Sequence, residues 1–421
     1  MFATWGALTG LAVAVVLIVR KATPAYALVL GALVGGLLGG GSLADTVAAM
    51  VSGAQSMMPS VLRILTSGIL AGALVKTGSA EKIADAIVRA LGARFALAAI
   101  ALATMVVTAV GVFVDIAVIT VAPVALAVGR RSGLPLPALL LAMVGGGKAG
   151  NVISPNPNTI AAADAFGVDL TALMAKNLVP ALCALAMAVF LSSLLARRRL
   201  IGGEPPPAAE GEDGTGSSPL PAMWAAAAGP VVVVSLLALR PLCGFAVDPL
   251  VALPAGGMVA IVACGRWRNA ASYCEYGLSK VAGVSILLVG TGTVAGIVKG
   301  SGLNADMISL LNACHLPAFA LAPLSSILLS GATASTTAGV TIAAQTFSGT
   351  LVSSGVPALS AAAMLHAGGT IFDALPHGSF FHATAGAVGM GVKDRLKLFP
   401  FGTLVGATTT VVSVAVYLLW G

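Results

Sequence analysis

Four stretches of this sequence interrupt apolar surroundings with the residue types that bind charged or hydroxylated ligands. The first is Gly111-Val112-Phe113-Val114-Asp115. The second runs from Gly145-Gly146-Gly147-Lys148-Ala149-Gly150-Asn151 into Ser154-Pro155-Asn156-Pro157-Asn158-Thr159. The third is Ser330-Gly331-Ala332-Thr333-Ala334-Ser335-Thr336-Thr337. The fourth runs from Gly368-Gly369-Thr370 into Asp373-Ala374-Leu375-Pro376-His377-Gly378-Ser379. Proline ends a helix and glycine lets backbone amides approach a ligand. A helix that starts just past such a break points free N–H groups and a partial positive charge at one spot, which suits an anion. The Asn, Ser and Thr side chains add hydrogen bonds for hydroxyls as well as for a carboxylate. The plainer alternative is a set of kinks packed against neighbouring helices.

Single residues in these breaks carry distinct chemistry. Lys148, flanked by glycines, is the one basic residue left at membrane depth. An unpaired charge there is costly, so Lys148 holds a substrate carboxylate, pairs with Asp115 or Asp373, or snorkels to an interface. Asp115 serves equally as a helix cap and as a carboxylate that couples an ion. Asp373 stands in the second proline break beside His377, and His366 falls near the position equivalent to Lys148. A histidine titrates near neutral pH and could carry a coupled proton, or act as a structural hydrogen-bond donor. The expected substrate contacts are Lys148, Asn151, Ser154, Asn156, Asn158 and Thr159 from one half. Ser335, Thr336, Asp373, His377, Gly378 and Ser379 supply the other half. Asp115, Asp373, His366 and His377 are the expected ion-coupling residues. His315 and His382 read as structural, while Asp164 and Asp169 read as caps or outer-surface residues.

Positioning these groups falls to helices in lipid. The 421 residues include only 22 Lys plus Arg and 15 Asp plus Glu, and 58% are hydrophobic types. Soluble domains have about 25% charged residues, so too few charges exist here to cover a water-facing surface. That composition excludes a soluble enzyme, a disordered chain and a nucleic-acid binder, because the net +7 charge forms no basic stripe. Apolar runs of about 17–25 residues indicate helices rather than the ten-residue alternating strands of a barrel. The five cysteines lack C-x-x-C spacing, and no G-x-x-x-x-G-K-[ST] occurs. Neither a metal, a cofactor nor nucleotide hydrolysis is therefore expected. Arg20-Lys21 follow the first apolar run rather than precede it, which predicts a retained first helix.

A polar, Pro-rich linker at 197–220 divides the chain, and the halves 1–196 and 221–421 align at an offset of about 219–223 residues. Spans are predicted at 2–19, 26–40, 61–76, a broken 136–168, and 174–196. Their counterparts are 221–239, 248–264, 281–298, a broken 356–386, and 399–420. Segments 95–129 and 316–350 read as re-entrant hairpins. The fold class is therefore an all-α membrane protein of two inverted repeats, with about 10 transmembrane helices, two hairpins and two broken helices. Arg63, Lys176, Arg240 and Lys299 fall outside and Lys148 stays at depth, which leaves 17 of the 22 Lys and Arg on the cytoplasmic side.

Three stretches resemble the gluconate permease family, the gluconate:proton symporters and their hydroxy-acid relatives. They are Gly72-Ala73-Leu74-Val75-Lys76-Thr77-Gly78-Ser79 with Val110 to Asp115 and Pro123, the Pro155-x-Pro157 break, and Asp373-x-x-Pro376-His377-Gly378-Ser379-Phe380-Phe381 with Gly391-Val392-Lys393-Asp394. The resemblance implies ion-coupled uptake of an organic anion held between hairpin tips and broken helices. The chain departs from the family at Gly150 and Ser154-Pro155-Asn156-Pro157, where a histidine and a Pro-Pro-His-Pro pattern are usual. A small hydroxylated carboxylate is thus favoured over gluconate itself. The expectation is a bacterial inner-membrane importer using protons, with lipid as its surroundings and a homodimer as one open assembly. Sodium coupling to a dicarboxylate or citrate and a passive anion channel are the alternatives, and no motif of an intramembrane enzyme is present.

Overall fold

The structure is a computed structural model that describes residues 2–198, 201, 220–245, 247–303, 305, 306, 309, 313, 317–376 and 378–420. The expected linker lies almost wholly outside the described residues, as do His315 and His377. Among the described residues every regular element is a helix, apart from an isolated bridge between Phe2 and Ser301.

The first half contains α1 (Thr4–Val19), α2 (Pro24–Leu38), α3 (Leu43–Gln55), α4 (Met58–Lys76) and α5 (Ser79–Leu91). It continues through α6 (Ala96–Ala109), α7 (Val114–Ser132), α8 (Leu136–Asn151), α9 (Pro157–Phe166), α10 (Leu170–Lys176) and α11 (Leu178–Arg198). The second half contains α12 (Met223–Cys243), α13 (Pro249–Ala263), α14 (Ala270–Lys299), α15 (Leu321–Thr333) and α16 (Thr336–Ser353). α17 (Ala358–Gly368), α18 (Ser379–Gly386), α19 (Val392–Lys397) and α20 (Phe399–Trp420) complete it. Met58–Lys76, Leu178–Arg198, Trp267–Lys299 and Val392–Trp420 are long and apolar enough to cross a membrane. Among the described residues, Thr4–Val19, Pro24–Leu38, Met223–Leu239, Pro249–Ala263 and Ala358–Gly368 are shorter apolar helices of 10–17 residues at other expected spans.

Small residues set how these helices meet. Lipid tails are as apolar as leucine, so helices associate through close packing rather than hydrophobic burial. α1 packs on α2 where a Cβ on Gly10 would come within 2.5 Å of the Gly31 carbonyl. α12 packs on α13 in the same manner at Gly229 and Gly256. α4 crosses α14 at Gly68, Gly72 and Gly277. The repeats interlock there, because α2 lies on α14 and α13 lies on α4. These helices form a frame.

The remaining elements repeat a second pattern. α6 folds back on α7, and α15 folds back on α16, so both predicted hairpins are present. Gly111 turns the first at φ +110, and Ala334 turns the second at φ +48. A left-handed alanine costs about 1–2 kcal/mol. Gly339 lets α16 approach Ser330 so closely that a Cβ would lie 2.5 Å from the Ser330 Cα. α8 packs on α6, α7 and α11, and α17 packs on α15, α16 and α20. Each broken helix therefore has equivalent neighbours in its own half.

Three features depart from the predicted elements. α14 begins at Ala270, eleven residues before the predicted span at 281–298, and runs 30 residues without a break. Neither α3 nor α5 was predicted. α5 is amphipathic, burying Ile83, Ala84 and Val88 while Lys82 and Arg89 face away from the core.

Candidate functional site

All four breaks meet at one cavity of about 570 Å³. Hairpin one supplies Phe113, Val114 and Asp115, and hairpin two supplies Thr333 to Ala338. The broken helices supply Asn151 and Asn158 from the first half and Asp373, Ser379 and Phe380 from the second. Thr23 to Ala25 at the start of α2 and one face of α14 close the remaining side. The N-termini of α7, α9, α16 and α18 consequently surround a single space. Their partial positive charges sum there.

The four starts differ in what their first-turn amides already hold. Asn156 caps α9, its Oδ1 accepting from the backbone N–H of Asn158 at 2.9 Å and Thr159 at 3.2 Å. Ser335 caps α16 by accepting from Ala338 N–H at 3.3 Å. α7 starts at Phe113 without a side-chain cap, although Asp115 Oδ1 accepts from the Ile116 amide at 2.9 Å. α18 starts at Gly378, which has no side chain to cap it. The amides of α18 are thus the ones most available to a ligand.

An asparagine cluster shapes the break between α8 and α9, the first of the two proline breaks. Asn156 Nδ2 donates to Asn151 O at 2.8 Å and to Asn151 Oδ1 at 2.7 Å. Asn158 Nδ2 donates to the same Oδ1 at 3.1 Å, and Asn177 Nδ2 donates to Val152 O at 3.2 Å. Asn151 and Asn158 reach the cavity, whereas Asn156, Thr159 and Ser154 are buried behind it. Asn156→Ala removes the cap and two of the bonds that aim Asn151. A stability loss of about 1 kcal/mol is expected from the cap alone. Asn156→Ser keeps a capping oxygen without setting a second acceptor against Asn151, so thermal unfolding should place it between wild type and Asn156→Ala.

Lys148 joins the two halves beneath this floor. Its Nζ lies 2.6 Å from Asp373 Oδ1, with the side chains 1% and 6% exposed. That contact is an ion pair without the alignment of a hydrogen bond. Nζ also donates to Thr370 O at 2.6 Å and Gly402 O at 3.3 Å. Asp373 Oδ2 accepts from Thr336 Oγ1 at 2.8 Å. A chain of polar contacts therefore runs from α8 through the second break to the tip of hairpin two. Of the two predicted carboxylate partners Asp373 is the one Lys148 meets, and Lys148 itself does not line the cavity.

The other singled-out residues are scattered. His366 is fully buried in α17, and neither ring nitrogen has a partner among the described residues. His382 lies 2.8 Å from Pro376 O through Nε2. Asp169 caps α10 by accepting from Ala172 N–H at 2.9 Å. Asp164 instead meets Arg63, which also grips Asp248 through Nη2 at 2.6 Å and Nε at 3.0 Å. That cluster borders a separate cavity of about 250 Å³, away from the breaks.

Sequence reasoning passed over Lys280 and Thr23 at the cavity and Arg395 behind it, and it named Thr337 in the third stretch without counting it as a contact. Arg395 is 2% exposed, donates through Nη2 to Thr384 Oγ1 at 3.2 Å, and stacks 5.3 Å from the Phe381 ring. Charge alone places both basic residues at the surface; Lys280 is exposed where it lines the cavity, whereas Arg395 is buried. The Gly-x-x-Lys-x-x-Gly spacing of Gly277, Lys280 and Gly283 was a usable signal for the first.

Among the described residues the regular elements are helices, and paired hairpins and broken helices around a cavity lined by both halves have the arrangement of a multi-pass membrane transporter. The pattern of GntP family permeases matches residues 4–420, and the chain belongs to that family. An uncharacterized transporter of Haemophilus influenzae is 50% identical across 98% of this chain and 97% of its own. A gluconate permease of Zymomonas mobilis is 22% identical over 80% of each chain. Among solved structures, the Alcanivorax borkumensis YdaH transporter, described as having an unusual topology, superposes with a TM-score of 0.67. It covers 88% of each chain at 18% identity, which speaks to the fold alone.

Proposed function

We propose that this transporter imports a small hydroxylated carboxylate, a sugar acid or hydroxy acid, by proton symport across the bacterial inner membrane. The observation that carries this reading is the convergence of four helix starts on one cavity that both halves line. The cradle attracts an anion through the backbone, while Asn151, Asn158, Thr336 and Ser379 suit hydroxyls. Asp115 and Asp373 are the carboxylates at the cavity that could carry a coupled proton. The repeats 1–196 and 221–421 would then act as inverted halves, with hairpins and broken helices moving against the frame. The relationship to a gluconate permease supports the substrate class.

Purified protein in proteoliposomes tests the reading. An inward proton gradient should drive accumulation of at least one member of a panel of sugar acids and hydroxy acids. Failure with every member ends the proton-symport proposal. Sodium coupling is the second reading, favoured by Asn158 Oδ1, a buried oxygen without a donor beside the cavity. Uptake driven by a sodium gradient at equal pH on both sides would establish it instead.

A further inference from the structure

Lys280 stands eleven residues into α14, about 15 Å along a helix of the frame. It shares the cavity-facing side of that helix with Gly283, Val284 and Leu287. Across the cavity stand the start of α7 and the tip of hairpin two. The charged residues lining the space are Asp115, Asp373 and Lys280. Asp373 is already matched by Lys148. Lys280, by contrast, has no carboxylate within ion-pairing distance among the described residues.

What holds Lys280 at present is weak. Its Nζ sits 5.0 Å from the centre of the Tyr276 ring, one turn back on the same helix. Lys76 Nζ occupies that ring as well, at 4.3 Å. An exposed cation–π contact contributes little, and two like charges on one ring oppose each other. A charge-assisted hydrogen bond to a carboxylate is stronger than such a contact. Lys280 also acts electrostatically on Asp115 across the space. A Cβ on Gly283 would meet nothing within 4 Å, so the next turn leaves room for a ligand beside the ammonium group.

We propose that Lys280 is the frame residue that pairs with the substrate carboxylate while the cavity is open beside the α1–α2 turn. Entry of the anion moves Lys280 from the Tyr276 ring to the ligand and relieves the ligand's repulsion by Asp115. Because α14 belongs to the frame, that contact is broken when hairpins and broken helices carry the ligand away from it. Lys280 therefore sets affinity on one face of the membrane and not on the other. The proposal rests on the organic-anion reading of the cavity.

The test measures KM from each face separately, in proteoliposomes of known protein orientation. The probe is radiolabelled D-gluconate, or the first acid of the panel that wild type accumulates. Lys280→Met should raise KM at the α1–α2 face by about tenfold or more, the loss of one charge-assisted hydrogen bond. KM at the opposite face should stay within about twofold, and Lys280→Arg should restore most of the loss. Lys280→Gln serves as a second neutral variant should Lys280→Met yield no folded protein by size exclusion. An equal KM rise at both faces, no rise at either, or failure of Lys280→Arg to recover overturns the proposal. If wild type transports no acid at all, the organic-anion reading fails instead.

Discussion

Lys148→Met should abolish transport and produce the largest loss of stability of any single change at the site. Methionine matches the lysine in length but leaves the Asp373 carboxylate buried with only the Thr336 hydroxyl as partner. It also orphans Thr370 O and takes a second donor from Gly402 O, a carbonyl inside α20. Removing one partner of a buried ion pair costs about 3–5 kcal/mol, whereas replacing both with apolar groups is often close to neutral. Lys148→Met combined with Asp373→Leu should therefore recover much of the lost thermal stability without recovering uptake. Asp373→Asn should be milder in stability than Lys148→Met, since Lys148 keeps two carbonyls. Melting curves and uptake on the same three preparations check this. A double variant no more stable than Lys148→Met would show that the pair is not what holds the two halves here.

Gly146→Val is expected to have the second-largest effect. The glycine lies in α8 against the backbone of α6, and a Cβ there would collide with Ala101 O. A backbone carbonyl inside a helix cannot swing aside as a side chain does. Overpacking costs about 1–3 kcal/mol, or more where no atom can move. α8 also carries Lys148 and Asn151, so a shift of its axis misplaces the ion pair and the cavity floor together. Gly283→Ala is the matched control, because its Cβ meets open space. It should be neutral or stabilising, by up to about 1 kcal/mol, because alanine is the better helix former. Equal melting temperatures for the two variants would rule out the close α6–α8 contact as the cause.

The sequence made the breaks legible because proline, glycine and polar residues are conspicuous in lipid-facing composition. All four lie at the cavity, and both hairpins and both broken helices fall within a few residues of their predicted ranges. What escaped was set by tertiary contact. Charge served to mark where spans end, so the predicted span begins at 281, one residue after Lys280, and leaves the lysine on the cytoplasmic side. α14 in fact passes through that position unbroken. The same reasoning puts Arg395 at the cytoplasmic surface, though its charge is shielded beneath α18. Asn156 drew notice as a ligand contact, yet its oxygen is occupied by helix amides two and three residues on. Asp164 and Arg63 are 101 positions apart, a pairing that no local pattern announces. Lys148 had two candidate carboxylates in the sequence, and only the packing of α8 against the second break selects between them.

The uncapped start of α18 has a further consequence for how the site would respond to acidity. Peptide amides neither gain nor lose protons at biological pH, and a helix dipole is fixed by geometry. An anion held mainly by such amides feels an attraction that stays constant as the medium is acidified, provided the anion itself stays ionised. Any change of binding with pH then reports on side chains alone. The backbone cradle acts as a silent reference against which a single proton, arriving on one carboxylate, can be heard.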